Sequence, residues 1–286
     1  MENLRAFLEY KEKLPEDYDG ILPDKEIKSI EFQNVSFRYK EDGDYTIKNL
    51  SFLIERKSNV ALVGHNGAGK TTIIKLLFRL YDPTEGEILL NGRNIKEYNL
   101  KAYRGLFAAA FQDYRILAFT IKENVMMRKV TAEDDEVIYE ALKKAGAYDK
   151  VMSLPKQADT VLTKEFDEDG AILSGGEYQK IVVARAFAKD VPIKVFDEPS
   201  SALDPIAEYE LYESILKDSF AKTMIFISHR LSSVRNADMV YMLENGEIIE
   251  RGSHEELMRF KGSYADMYSK QAKNYLAVED LREVTA

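Results

Sequence analysis

Val60-Ala61-Leu62-Val63 followed by Gly64-His65-Asn66-Gly67-Ala68-Gly69-Lys70-Thr71-Thr72 is the stretch whose reading decides the fold. Gly64, Gly69, Lys70 and Thr71 occupy the fixed places of the phosphate-binding pattern G-x-x-x-x-G-K-[ST]. The apolar run before it reads as a buried parallel strand, and Ile73-Ile74-Lys75-Leu76-Leu77-Phe78 after it reads as a helix packed on that strand. Gly64, Gly67 and Gly69 let the backbone curl and turn successive N–H groups toward phosphate oxygens. The helix opening near Lys70 adds its positive end, Lys70 brings an ammonium to the β- and γ-phosphates, and the Thr71 hydroxyl is placed to ligate Mg²⁺. The whole run from Gly64 to Thr72 is therefore a candidate triphosphate cradle. His65 stands at a variable position of the pattern, where a spacer serves equally well.

Length and composition bound the rest. The 286 residues suffice for one large α/β domain or two modest ones, and a 45% apolar, 31% charged composition is that of a globular chain. No apolar run approaches the roughly 20 residues of a membrane helix, and no signal-peptide pattern opens the chain. The absence of cysteine excludes disulfides and thiolate metal sites and fits a reducing compartment. A net charge of −9 argues against a broad nucleic-acid surface. The chain reads as soluble and cytosolic in its own right.

Upstream, Leu4, Phe7 and Leu8 share one face of an N-terminal helix, and Leu14 to Gly20 reads as an acidic linker. From Ile30 to Ile54 the period is two, with a turn at Glu41–Asp44, predicting half-buried antiparallel strands. Tyr39 closes one of them, where a ring can face a ligand or simply edge the strand. Glu87–Gly92 adds a strand with a hairpin signal. Gln112 follows the apolar run Phe107–Phe111, at the strand end where α/β sheets carry ligand contacts.

The period then turns helical. A helix is predicted to start at Thr131–Asp134, to bury Val137, Ile138, Ala141 and Leu142, and to stop at Gly146. The segment from Gln112 to Ser174 is read as an inserted helical subdomain. Ser174 and Glu177 form a capping-box pattern ahead of an apolar helix, Ile181–Ala188, leaving N–H groups beside Gly175 and Gly176 open to an anion. Ile193-Lys194-Val195-Phe196 ends in Asp197 and Glu198. In a P-loop protein the first carboxylate holds Mg²⁺ and the second can deprotonate the attacking water. The Lys194 stem is expected along apolar surface with its ammonium in solvent. Met224–Ser228 is another buried strand with His229 at its end, Asn245-Gly246 turns a last hairpin, and His254 lies in a polar run where solvation is expected.

With these elements in place, the chain resembles the ATP-binding cassette family, specifically the nucleotide-binding domain of exporter-type transporters, from about Leu4 to Gln271. GHNGAGKTT matches its Walker A motif, IKVFDE its Walker B, LSGGE its signature, Gln112 its Q-loop, Ser201–Asp204 its D-loop and His229 its switch histidine. The resemblance implies a P-loop NTPase (RecA-like) α/β core with an antiparallel β subdomain and an inserted helical subdomain at about 116–188. It implies ATP and Mg²⁺ as ligands, with Tyr39 stacking on adenine and the metal held by Thr71 and Gln112 with Asp197 nearby. Glu198 is then the general base, and His229 links the γ-phosphate to the D-loop. Two such domains are expected to close head to tail, homo- or heterodimeric, with Ser174, Gly175 and Gly176 on the phosphate held by the partner. Residues 1–22 resemble the connector after the last membrane helix of fused exporters, leaving 23–286 as the ATPase domain. An exporter engine on the cytoplasmic face of the cell membrane follows. The alternative is a soluble cassette ATPase of the DNA-repair, chromosome or translation type, which usually carries a long coiled-coil insertion or a second cassette. A regulatory cassette that binds ATP without hydrolysing it usually lacks the equivalent of Glu198 or His229. This chain departs from the family pattern at Glu177, Lys180 and Asp169, whereas Glu168 keeps the acidic position associated with the membrane domains.

Overall fold

The computed structural model describes residues 19–24, 26–218, 222–228 and 234–270. The predicted N-terminal helix, His229 and the tail from Asn274 lie outside the described residues. The elements run β1 (Ser29–Phe37), β2 (Ile47–Glu55), β3 (Asn59–Gly64), α1 (Lys70–Leu77), β4 (Glu85–Leu90), β5 (Arg93–Asn94), α2 (Leu100–Arg104) and β6 (Phe107–Ala110). They continue as α3 (Ile121–Met126), α4 (Asp135–Lys144), α5 (Tyr148–Met152), α6 (Gly175–Ala188), β7 (Ile193–Asp197), α7 (Pro205–Asp218), β8 (Thr223–Ile227), β9 (Met239–Glu244), β10 (Glu247–Gly252) and α8 (His254–Phe260).

Two sheets form. The period-two segments give an antiparallel sheet in the order β2-β1-β4-β5, and the apolar runs give a second in the order β10-β9-β3-β8-β7-β6. Within the latter β9, β3, β8, β7 and β6 are parallel, and β10 pairs antiparallel at the edge. The P-loop strand β3 therefore lies between β9 and β8, and the carboxyl ends of β3, β6, β7 and β8 share one end of the sheet. That is where ligands bind in such sheets.

Strand alternation explains which layer each face meets. Val60, Leu62, Ile193, Val195, Ile225 and Ile227 face a core shared with α1 and the antiparallel sheet. Phe196, Met224, Phe226, Ala108 and Ala110 face the helices α3 to α7. Ala61, Val63, Val240 and Met242 pack under Leu257 and Tyr264. The predicted helical region condenses around α6, with Ile138, Ala141 and Leu142 of α4 and Val125 of α3 buried in its core. Val137, expected in that face, is 44% exposed, because the stripe that α4 packs inward is centred on Ile138, Ala141, Leu142 and Ala145 and leaves Val137 at its edge.

The far end of the P-loop helix is tied down. Tyr103 Oη donates to Leu77 O at 2.7 Å, and Arg104 donates to Phe78 O at 3.1 Å and Arg79 O at 2.9 Å, meeting carbonyls that a helix end leaves unpaired. The two sheets meet at Thr46–Ile47. Lys48 N donates to Gly246 O at 2.9 Å, and a Cβ on Gly246 (φ +85°) would lie 2.4 Å from Thr46 O. A Cβ on the P-loop's Gly69 would lie 2.6 Å from Ile47 Cδ1. Only glycine permits these approaches.

Two sequence expectations are corrected. Lys194 does not reach solvent: its side chain is fully buried, because period two points it to the same face as Phe196, into the helical layer. There its ammonium lies 2.8 Å from Asp218 Oδ2 and 5.3 Å from the centre of the Phe187 ring, and Lys144 of α4 takes the other oxygen, Oδ1, at 2.8 Å. His254 is half-buried rather than freely solvated. Nδ1 lies 2.8 Å from Tyr264 Oη and the ring packs on Tyr268, so burial pushes its pKa down.

Candidate functional site

The cradle is built as the pattern requires. Gly64, Gly67 and Gly69 take φ of +149°, +82° and +104°, in or near backbone regions closed to other residues. His65, Asn66 and Gly67 are exposed, as is Thr71, whereas Ala68, Gly69, Lys70 and Thr72 are buried. Gly69 caps α1 without a side-chain bond, and the first turn holds no acidic residue, so the positive end of α1 stays open to an anion. Lys70 Nζ donates to Gly64 O at 2.8 Å and His65 O at 3.0 Å. Burial lowers its pKa, against the charges of Glu198 and Asp197, which raise it.

Beside it, Asp197 is 2% exposed, and its Oδ1 is buried without a hydrogen-bond partner. Burial first, then the charge of Glu198, pushes its pKa up to about 6, and Lys70 and a hydrogen bond with Thr71 pull the other way. A buried carboxylate with an orphaned oxygen, adjoining an exposed Thr71, fits a divalent cation, which would return the electrostatic cost of its charge. Gln112, exposed after β6, lines a cleft of about 990 Å³ together with Gly64, His65, Asn66, Glu198 and Ser201. Ser263, Asp266 and Lys270 form another wall of that cleft. Asp113, next to Gln112, adds a charge felt by Asp197 that the sequence reading did not single out.

Glu198 sits at φ +49°, a left-handed conformation that costs a non-glycine residue about 1–3 kcal/mol. Its N–H donates to Ile227 O at 2.9 Å, and its carbonyl accepts from Ser201 N at 3.3 Å. Tyr39 follows β1, 46% exposed, with Oη 3.0 Å from Thr72 Oγ1 and its ring edge-on to Phe37 and Tyr81. An exposed ring thus stands against the first turn of the P-loop helix.

The signature residues face elsewhere. Ser174 caps α6, and Glu177 turns back so that Oε2 accepts from Ser174 N at 2.7 Å while Oε1 pairs with Lys150 at 3.1 Å. Its charge is thereby engaged at the cap, and Ser174 and Gly175 remain exposed. With Gly176, Lys180, Ala202 and Asp204 they line a second depression that no P-loop residue lines. Asp204 caps α7 by accepting from Ile206 N and Ala207 N, each at 3.0 Å. The sequence reading also missed Gln179, a buried amide on the apolar face of α6, for which the only signal was a polar side chain in that stripe.

An open P-loop beside a buried Asp197 and a half-buried Glu198, at the carboxyl end of a parallel sheet with an antiparallel sheet and a helical layer around it, defines a P-loop NTPase with an ATP-binding site. A family model described as "ABC transporter" matches residues 47–201, more than half of the chain, and the chain belongs to that family. It is 40% identical over 285 residues to the subtilin transport ATP-binding protein SpaT of Bacillus subtilis, covering 96% of this chain and 44% of that one. It is 39% identical over 265 residues to a putative multidrug export ATP-binding/permease protein of Staphylococcus aureus (strain NCTC 8325), covering 90% of this chain and 45% of that one. The structure of a bacterial Atm1-family ABC exporter with ATP bound superposes with a TM-score of 0.87 at 33% identity, over 95% of this chain and 47% of that one. The chain thus spans somewhat under half the length of the curated relatives it matches. Among the described residues no helix is long and apolar enough to cross a membrane.

Proposed function

We propose that this chain is the ATP-hydrolysing engine of a membrane exporter, working at the cytoplasmic face of the membrane with a transmembrane domain that its longer relatives carry fused. Two such domains close head to tail on ATP. Each P-loop takes the triphosphate, and each signature completes the site of the other copy. The observation that carries this reading is the separation of Ser174 and Gly175 from their own P-loop: exposed donors at a capped helix start, in a depression of their own, await a phosphate that another copy holds.

In the proposed mechanism Tyr39 stacks on the base, and the Gly64–Thr72 backbone receives the phosphates. Lys70 exchanges its bonds to Gly64 O and His65 O for phosphate oxygens. Thr71, Gln112 and Asp197 would hold Mg²⁺, which when bound neutralises charge on those oxygens. Glu198 orients the attacking water and accepts its proton as the new P–O bond forms and the bond to the leaving diphosphate breaks. His229, by the family resemblance, contacts the γ-phosphate and the D-loop. Catalysis is positioning and charge neutralisation, and re-opening after hydrolysis drives export.

The test is Glu198→Gln, which keeps the cradle and removes the base. Incubated with ATP, it is expected to elute as a stable dimer in gel filtration and to hydrolyse ATP at a rate lower by at least about 10²-fold. A variant that stays monomeric with ATP, or turns over like the parent, would remove the support for this role.

A further inference from the structure

We propose that Gln179 is a positioning residue that ties the signature helix α6 to the main chain of Glu198, so that one chain's contributions to two different ATP sites move as a unit. The proposal rests on the head-to-tail reading above. Gln179 is 3% exposed, and both of its amide donors and its carbonyl oxygen are engaged. Nε2 donates to Glu198 O at 2.9 Å and to Ser201 Oγ at 2.9 Å, and Oε1 accepts from Ala202 N at 2.8 Å. One side chain therefore bonds the carboxylate-bearing residue and both residues that open the D-loop.

A second contact reinforces the first. Gly176 lies in the first turn of α6, and a Cβ there would stand 2.8 Å from Ala202 O and 3.3 Å from Leu203 Cδ2. The missing side chain lets the D-loop lie directly on the helix start. Ser174 and Gln179 are five residues apart, roughly 7–8 Å along a helix axis. A helix segment of that length shifts as a rigid piece. Displacement of Ser174 and Gly175 by a phosphate in the partner's site thus carries Gln179 with it. The backbone it holds is itself strained, since Glu198 stands in the left-handed region at φ +49°. A small pull there redirects the Glu198 carboxylate toward or away from its own attacking water. The signature's engagement with one nucleotide is thereby read at the base serving the other.

Two near-isosteric variants of the 286-residue chain test this. Gln179→Met keeps the volume and removes all three bonds. Gln179→Glu keeps the acceptor for Ala202 N and removes both donors. Both are expected to lower kcat by roughly ten- to hundredfold with KM for ATP within about threefold, because the P-loop and Tyr39 are untouched. Hydrogen exchange at the Ala202 amide is expected to quicken in Gln179→Met and to stay protected in Gln179→Glu. Parental kcat in both variants, a loss carried by KM alone, or unchanged exchange at Ala202 in Gln179→Met overturns the assignment. Failure of the parent chain to hydrolyse ATP, or of Glu198→Gln to dimerise, counts instead against the function on which the proposal rests.

Discussion

Tyr39 Oη lies 3.0 Å from the Oγ1 of Thr72, so a ring from the antiparallel sheet is fastened to the first turn of the P-loop helix. With 46% of the residue exposed, the ring is available for stacking. Tyr39→Ala is expected to weaken ATP binding by about 1–3 kcal/mol, the usual worth of an aromatic under a base, with little change in maximal turnover. Tyr39→Phe keeps the ring, loses only the bond to Thr72 and should cost a few-fold at most. A fluorescent-nucleotide titration in which Tyr39→Ala binds like the parent would return Tyr39 to being a strand-edge aromatic.

Ser174 caps α6 and, on the proposed reading, also meets a phosphate from outside. Ser174→Asp keeps a good cap and sets a negative charge where the phosphate arrives. Its melting curve should match the parent within about 0.5 kcal/mol, whereas its combination with Glu198→Gln should abolish the ATP-dependent dimer. A dimer persisting in the double variant would place the signature outside the phosphate contact.

The Lys194–Asp218–Lys144 cluster makes a pH prediction. Asp218→Ala leaves the Lys194 ammonium buried without its counter-charge and should cost about 3–5 kcal/mol at pH 7. Lys194→Met should be neutral or stabilising, because Asp218 keeps Lys144. Burial already holds the Lys194 pKa at about 8, below its ordinary 10.5, against the pull of Asp218. Between those values the folded protein binds fewer protons than the unfolded one, so this group's contribution to stability rises with pH there. Without Asp218 the folded pKa falls further, the window widens downward, and the penalty measured at pH 7 should shrink toward pH 10. Urea titrations at the two pH values decide it, and a penalty that grows with pH contradicts the buried-ammonium account.

Gly246→Ala should be poorly tolerated, since φ is +85° and a Cβ would run into Thr46 O. A loss of at least about 1–3 kcal/mol is expected, with weaker ATP binding although Gly246 is no part of the cradle. Calorimetry and nucleotide titration of this one variant check both, and unchanged affinity at reduced stability would detach the seam from the site.

Much of this was legible because the chemistry is local. A phosphate loop needs glycine at positive φ, and Gly64, Gly67 and Gly69 announce it. Asn245-Gly246 takes the left-handed pair of a tight hairpin as read, with φ of +50° and +85°. The capping box of Ser174 and Glu177 forms because both partners lie within one turn. What stayed hidden depends on residues far along the chain. The partner that meets the buried Lys194, Asp218, lies 24 positions later, and His254 is half-covered because Tyr264 and Tyr268 return over it. Gln179 bonds residues about twenty positions on, which no helical period can signal. Lateral strand order is likewise a pairing across the chain, invisible to alternation within a strand.

The junction at Thr46–Ile47, closed by Gly69 on one side and Gly246 on the other, acts as a ruler. On the proposed reading it fixes the distance from the Tyr39 ring to the phosphate loop, through the main chain at Gly246 and the Ile47 side chain at Gly69. A whole nucleotide would then span the two marks, whereas free pyrophosphate or a bare nucleoside would touch only one, which would make recognition by this domain in part a measurement of length.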